Sequence, residues 1–122
     1  MRATYRAEHG RSYRASTHAK SLRKRKAIKR QVEWEDFEDR EIFERDGWVC
    51  QIGFHPVEPT VKYPDPGSAT IDHHLPLSYG GGHTRRNVRL ACLDHNVARG
   101  NKVSDEDLDQ LGIRREDLVF IA

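Results

Sequence analysis

Three consecutive glycines, Gly80-Gly81-Gly82, stand between two short apolar runs and constrain this chain more than any other feature. Glycine triplets are poor helix and strand interiors, so residues 78–86 must form a loop. Before it, residues 68–77 read as an extended arm, with Thr70 and Ile71 leading into Asp72 and His73. After it, Asn87 precedes a second short strand over residues 88–90, and residues 94–99 read as a helix with Gly100 near its end. The expectation is a hairpin followed by a helix, with an acid, a histidine and two amides (Asp72, His73, Asn87 and Asn96) gathered on it. Such a set suits a divalent ion and a general base acting on a phosphodiester. A neutral imidazole can accept a proton from water near neutral pH. The Asn96 carbonyl is a hard oxygen ligand suited to Mg2+ or Mn2+. Asn87 stands where its amide could fix the loop that carries His73.

The chain has 122 residues, enough for one domain, but only 36% are apolar and 33% are charged. So lean a core would gain from a staple such as a metal. The two cysteines, Cys50 and Cys92, are better read as metal ligands than as a disulfide in a cytosolic chain. No run approaches the roughly 18 apolar residues of a membrane span, and no apolar stretch follows the basic N-terminus as in a signal peptide. The expected location is therefore cytoplasmic, with no membrane partner. The net charge of +2 conceals an asymmetry: residues 1–31 hold eleven Lys or Arg against the single acid Glu8, whereas the rest holds ten bases and eighteen acids. A basic arm on an acidic body points to a polyanion, and nucleic acid is the usual one. Its densest part is Arg23-Lys24-Arg25-Lys26. A solubilising or targeting tail is the plainer alternative.

Three segments are expected, then: a basic extension over 1–32, a catalytic body over 33–104, and a C-terminal helix and tail over 105–122. Residues 33–46, free of Gly and Pro, predict a helix or two short ones, ended by Gly47. Four prolines between residues 54 and 67 predict an irregular loop. Ser104 is an expected N-cap with Asp107 at the capping-box position; Leu108 and Leu111 should face inward, and residues 118–121 should pack on the body.

The run Asp72-His73-His74-Leu75-Pro76-Leu77-Ser78, then Gly80-Gly81, Arg86-Asn87-Val88-Arg89-Leu90, Cys92-Leu93-Asp94-His95-Asn96 and Gly100-Asn101-Lys102, resembles the HNH endonucleases, the ββα-metal nucleases, and among them the small stand-alone phage-type members. Arg45-Asp46-Gly47-Trp48-Val49-Cys50 is similar to the family's lead-in to its first cysteine. The resemblance spans about half of the chain, residues 41–102. It implies an α+β fold: a ββα-metal, treble-clef-like hairpin plus helix, with flanking helices. It also implies a metal-dependent DNA endonuclease that nicks or cuts duplex DNA to leave 5′-phosphate and 3′-hydroxyl ends. His73 would be the general base, Asn87 would position it, and Asp72 and Asn96 would hold a catalytic Mg2+ or Mn2+. His74 stands where the family usually has an apolar residue, so a register with His74 as base is also conceivable.

Many members of that family carry two Cys-x-x-Cys pairs around a structural zinc. Here Gly53 replaces one ligand and His95 another, and His55 stands two residues past Gly53. The implied Zn2+ set is Cys50, His55, Cys92 and His95, with His83, His74 or water as substitutes for His55, and two buried thiols without metal as the alternative. Arg85, Arg86, Arg89, Arg99 and Lys102 would hold the DNA backbone, with Arg23, Lys24, Arg25 and Lys26 of the arm. Homodimers or phage packaging proteins are the other expected partners. Two further functions compete: a non-catalytic, zinc-stapled nucleic-acid-binding module, and an RNA-directed nuclease or toxin.

Overall fold

A computed structural model describes residues 32–120. Over these residues the protein is small and α+β, with one two-stranded antiparallel sheet and three short helices. In chain order these are α1 (Asp39–Arg45), β1 (Ala69–His73), a 3-10 turn (Leu77–Tyr79), β2 (Val88–Cys92), α2 (Leu93–Arg99), α3 (Asp105–Leu111) and a second 3-10 turn (Arg115–Asp117). Ala69 pairs with Cys92 at one end of the hairpin and His73 with Val88 at the other. None of the helices among the described residues is long and apolar enough to cross a membrane.

The glycine run does what its composition demands. Gly80 takes a left-handed φ of 83°, which closes the 3-10 turn. Gly81 passes so close to Leu75 that a Cβ there would lie 1.8 Å from the Leu75 carbonyl oxygen. β2 then runs directly into α2, and Cys92 serves as the helix N-cap by accepting from the His95 N–H.

β2 is the centre of the core. Val88, Leu90, Ala91 and Cys92 are all buried: the last three cluster with Phe43, Trp48, Cys50 and Val57, and Val88 with Phe37 and Ile42. The end of α1 is pinned against this strand: Asp46 accepts from the Leu90 N–H at 2.8 Å, and Arg45 donates to the carbonyls of Arg85 and Val88. α1 ends as expected, with Gly47 left-handed at φ 66°. α3 carries the full capping box between Ser104 and Asp107, and Leu108 is buried beneath it.

Two expectations fail. The helix predicted over 33–46 is confined to Asp39–Arg45, because the stretch before it pairs with a distant loop. There Trp34 forms a parallel bridge to His83; His83 N–H donates to the Glu33 carbonyl and Glu35 N–H to the His83 carbonyl, both at 2.8 Å. These bonds use donors and acceptors that a helix would have needed. The C-terminal tail departs from expectation over its last described residues: Leu118 is half-buried, but Val119 and Phe120 are 66% and 61% exposed, with Phe120 edge-to-face with Tyr79, and Ile121 lies outside the described residues. The basic arm, including Arg23, Lys24, Arg25 and Lys26, lies outside the described residues.

Candidate metal centre and active-site cleft

The turn after Trp48 folds back through Phe54, whose φ of 56° is left-handed, and Phe54 N–H donates to the Cys50 carbonyl at 2.8 Å. That reversal returns His55 to Cys50, while the β2–α2 junction supplies Cys92 and His95. The metal-ligating atoms of Cys50, His55, Cys92 and His95 all lie within 4.8 Å of one another, positioned to bind a metal ion such as zinc.

Two of the three edges at His95 match a tetrahedral ion, and the third is about 0.5 Å short of it. Zinc bonds of about 2.3 Å to sulfur and 2.0–2.1 Å to nitrogen imply S···N edges of about 3.6 Å and an N···N edge of about 3.3 Å. Here Cys50 Sγ and Cys92 Sγ lie 3.6 and 3.1 Å from His95 Nδ1, and His55 Nε2 lies 3.3 Å from it. Backbone N–H groups surround the sulfurs: Gly53 and Cys92 donate to Cys50 Sγ, and His95 donates to Cys92 Sγ. Such donors favour thiolates. Burial pushes the Cys50 thiol up, but the N–H groups of Gly53, Cys92 and Ile52, with His95, outweigh it and hold it at about 7. Burial and the adjacent Cys50 raise Cys92. A dication would remove that thiolate repulsion. Gly53, which stands in a ligand's place in the sequence, is needed for space: a Cβ there would fall 2.2 Å from His95 Cε1 and 2.9 Å from His55 Cδ2.

On the hairpin, Asp72, His73 and Asn96 all line one open cleft of about 270 Å³, together with Leu77, Ser78, Arg99 and Asn101. His74 points elsewhere. It is buried, with Nδ1 2.8 Å from Asp107 Oδ1 and Nε2 toward Gln110 of α3. His73, not His74, therefore lines this cleft with Asp72 and Asn96. Burial lowers the His74 pKa, against the opposing bond to Asp107. Burial raises Asp107, but His74, Ser104 and Arg89 outweigh it, leaving a net lowering.

Asn87 fixes the turn that carries His73. Its Oδ1 accepts from the Leu75 N–H at 3.0 Å, its Nδ2 donates to the carbonyls of Leu75 and Gly82, and its own carbonyl accepts from His74 N–H. Asn96 uses Nδ2 toward Thr70 Oγ1 and the Ile71 carbonyl, which leaves its Oδ1 as the atom to offer a cation.

The arginines expected on DNA have partners within the protein. Arg85 pairs with Glu41 and Glu35, and Arg86 donates to the Leu111 carbonyl. Arg89 and Arg99 each bridge Asp72 and Asp107, so two carboxylates and two guanidiniums alternate in a closed, largely buried ring. Arg99 also donates to the carbonyls of His73 and His74. Lys102 is exposed. Both oxygens of Asp72 thus accept from arginine, although a carboxylate has about four lone-pair sites and retains capacity for a cation.

Sequence reasoning missed two participants. Asp107 lies outside the hairpin pattern and gave no signal beyond its capping position. His83, considered only as a substitute zinc ligand, is fully buried with its Nδ1 3.0 Å from His73 Nε2. No protein-family profile, curated protein or solved structure matches this chain.

Proposed function

We propose that this chain is a metal-dependent endonuclease that hydrolyses phosphodiester bonds in duplex DNA, with His73 as the general base and a structural zinc on Cys50, His55, Cys92 and His95. The observation that carries the reading is the single cleft shared by His73, Asp72 and Asn96. His73 takes a proton from the attacking water, which a positioned imidazole does effectively near neutral pH. Asn87 holds the following turn through three side-chain hydrogen bonds, so the imidazole stays at the cleft. Arg99 braces the same backbone from below through the His73 and His74 carbonyls. Asp72 and Asn96 offer oxygens to a divalent ion, Mg2+ or Mn2+, which when bound neutralises charge on the phosphate and the departing 3′ oxygen. The zinc cluster ties the loop after α1 to the β2–α2 junction, and so holds Asn96 against the hairpin.

One observation favours a second reading. The double ion pair on Asp72 suits a scaffold, and a zinc-stapled nucleic-acid-binding module without chemistry would keep it. Supercoiled plasmid separates the two. Wild type should nick it with Mg2+ or Mn2+ and not with EDTA, while His73→Ala should bind DNA and fail to nick. Binding without nicking by the wild type under every metal would select the module.

A further inference from the structure

Asp72 meets a second carboxylate, Asp107 of α3, through two arginines. On the hairpin Asp72 stands directly across from Arg89, whose Nε donates to Asp72 Oδ2 at 2.8 Å. Arg99, the last residue of α2, donates from Nη1 to Asp72 Oδ1, also at 2.8 Å. The other ends of both guanidiniums turn to Asp107: Arg89 Nη1 lies 3.2 Å from its Oδ1 and Arg99 Nη2 3.3 Å from its Oδ2. None of the four side chains is more than 14% exposed. Asp72 and Arg99 line the cleft, whereas Arg89 and Asp107 line a second cavity.

Asp107 also accepts from the Ser104 N–H and hydroxyl and so caps α3. An uncharged Asn could make those bonds. What Asn could not supply is charge. Two carboxylates and two guanidiniums cancel; without Asp107, Asp72 faces both arginines alone and one positive charge is left over. In a ring this buried, water screens that excess poorly, and a dication approaching Asp72 would be repelled. With both guanidiniums shared, Asp72 keeps its negative field, and each of its oxygens keeps a second lone pair. Asn96, whose Nδ2 is tied to Thr70 and the Ile71 carbonyl, offers the neighbouring oxygen.

We infer that Asp107 is a positioning residue for the cation site: by neutralising Arg89 and Arg99 it keeps Asp72 competent as a ligand. This rests on the reading of Asp72 and Asn96 as the site of the divalent ion.

The test needs no DNA and no turnover. Mn2+ alone is titrated into the full-length protein, with the Cys–His cluster saturated with Zn2+, and read by loss of the free-ion EPR signal. The work is done at about pH 7.5, above the ordinary imidazole range. Asp107→Asn leaves the ring one charge positive and should weaken Mn2+ binding by about 10–100-fold. Arg89→Gln leaves it one charge negative and should tighten binding by about tenfold. Asp107→Asn combined with Arg89→Gln restores neutrality and should bind within about threefold of wild type. Asp107→Asn with unchanged affinity would overturn the inference, as would a double variant no tighter than Asp107→Asn, since a purely structural brace is not rescued by losing a second member. Should Asp107→Asn not fold, Arg89→Gln and the double variant decide: both binding more weakly than wild type would overturn it. Asp72→Ala separates the two failures. Mn2+ binding that Asp72→Ala leaves intact would refute the cation site and the inference with it. Binding that needs Asp72 but ignores the ring charge would refute the inference alone.

Discussion

Gly53→Ala should disable the metal centre while leaving the backbone unstrained. Gly53 does not have the left-handed φ that restricts a side chain at Gly47 or Gly112. The obstacle is steric: the new Cβ would lie 2.2 Å from His95 Cε1 and 2.6 Å from His95 Nδ1. Restoring ordinary contact at 3.4 Å requires the ring to retreat by about 1.2 Å. Zinc–nitrogen bonds tolerate about 0.2 Å, so His95 must leave the ion or bind it in a distorted geometry. Disturbing a ligand's surroundings typically costs 10–100-fold in affinity, or about 1.4–2.8 kcal/mol. The control is Gly67→Ala, whose Cβ would meet only Asp65 Oδ1 at 3.4 Å. Zinc affinity by competition with a chromophoric chelator, and thermal melting with and without chelator, should separate the two variants. Wild type and Gly67→Ala should carry about one zinc per chain and lose melting temperature on its removal. A Gly53→Ala protein with wild-type zinc affinity and the same chelator-sensitive melting would refute the argument.

Other expectations follow from the same contacts. Asn87→Ala removes three side-chain hydrogen bonds, two of them buried, and takes a partner from the Leu75 N–H and carbonyl, so it should cost about 2–4 kcal/mol, read as a lower denaturant midpoint at constant m. His74 is held below its ordinary 6.5 and Asp107 below its ordinary 3.8, so the unfolded chain binds more protons than the folded one in acid. Stability should therefore fall as pH drops below about 6.5 and again through the carboxylate range. His74→Gln should remove the first of these losses; an unchanged pH profile in that variant would contradict the buried His74–Asp107 pairing. Deleting residues 1–31, with their eleven Lys and Arg, should weaken DNA binding and flatten its log–log salt slope by about 0.9 for each phosphate the arm neutralises. An unchanged slope would assign the arm to something other than DNA.

Much of the hairpin and the metal cluster was legible because it depends on local chemistry. Gly80 and Gly81 dictate a loop, apolar runs flank it, and Cys92 and His95 lie one helical turn apart. His55 was legible from the missing ligand at Gly53. What could not be read depends on distant pairing. Residues 33–38 have the composition of a helix, yet the backbone of residues 33–35 pairs with His83, about 50 residues away. The arginines' internal partners were hidden for a related reason: a guanidinium near a cleft has the same sequence signature whether it faces phosphate or carboxylate. The excess of acids over bases beyond residue 31 was the available hint that arginines there would find partners within the protein. Arg89 and Arg99 found Asp72 and Asp107.

Chemical rescue of His73→Ala by free imidazole tests the assignment of the base most directly. On a labelled DNA duplex under single-turnover conditions with Mn2+, the variant should cleave at least about 10²-fold more slowly than wild type with similar DNA affinity. Added imidazole should restore part of the rate in proportion to its unprotonated concentration. A variant that cleaves as fast as wild type, or a slow variant that imidazole leaves unchanged, would contradict His73 as the base.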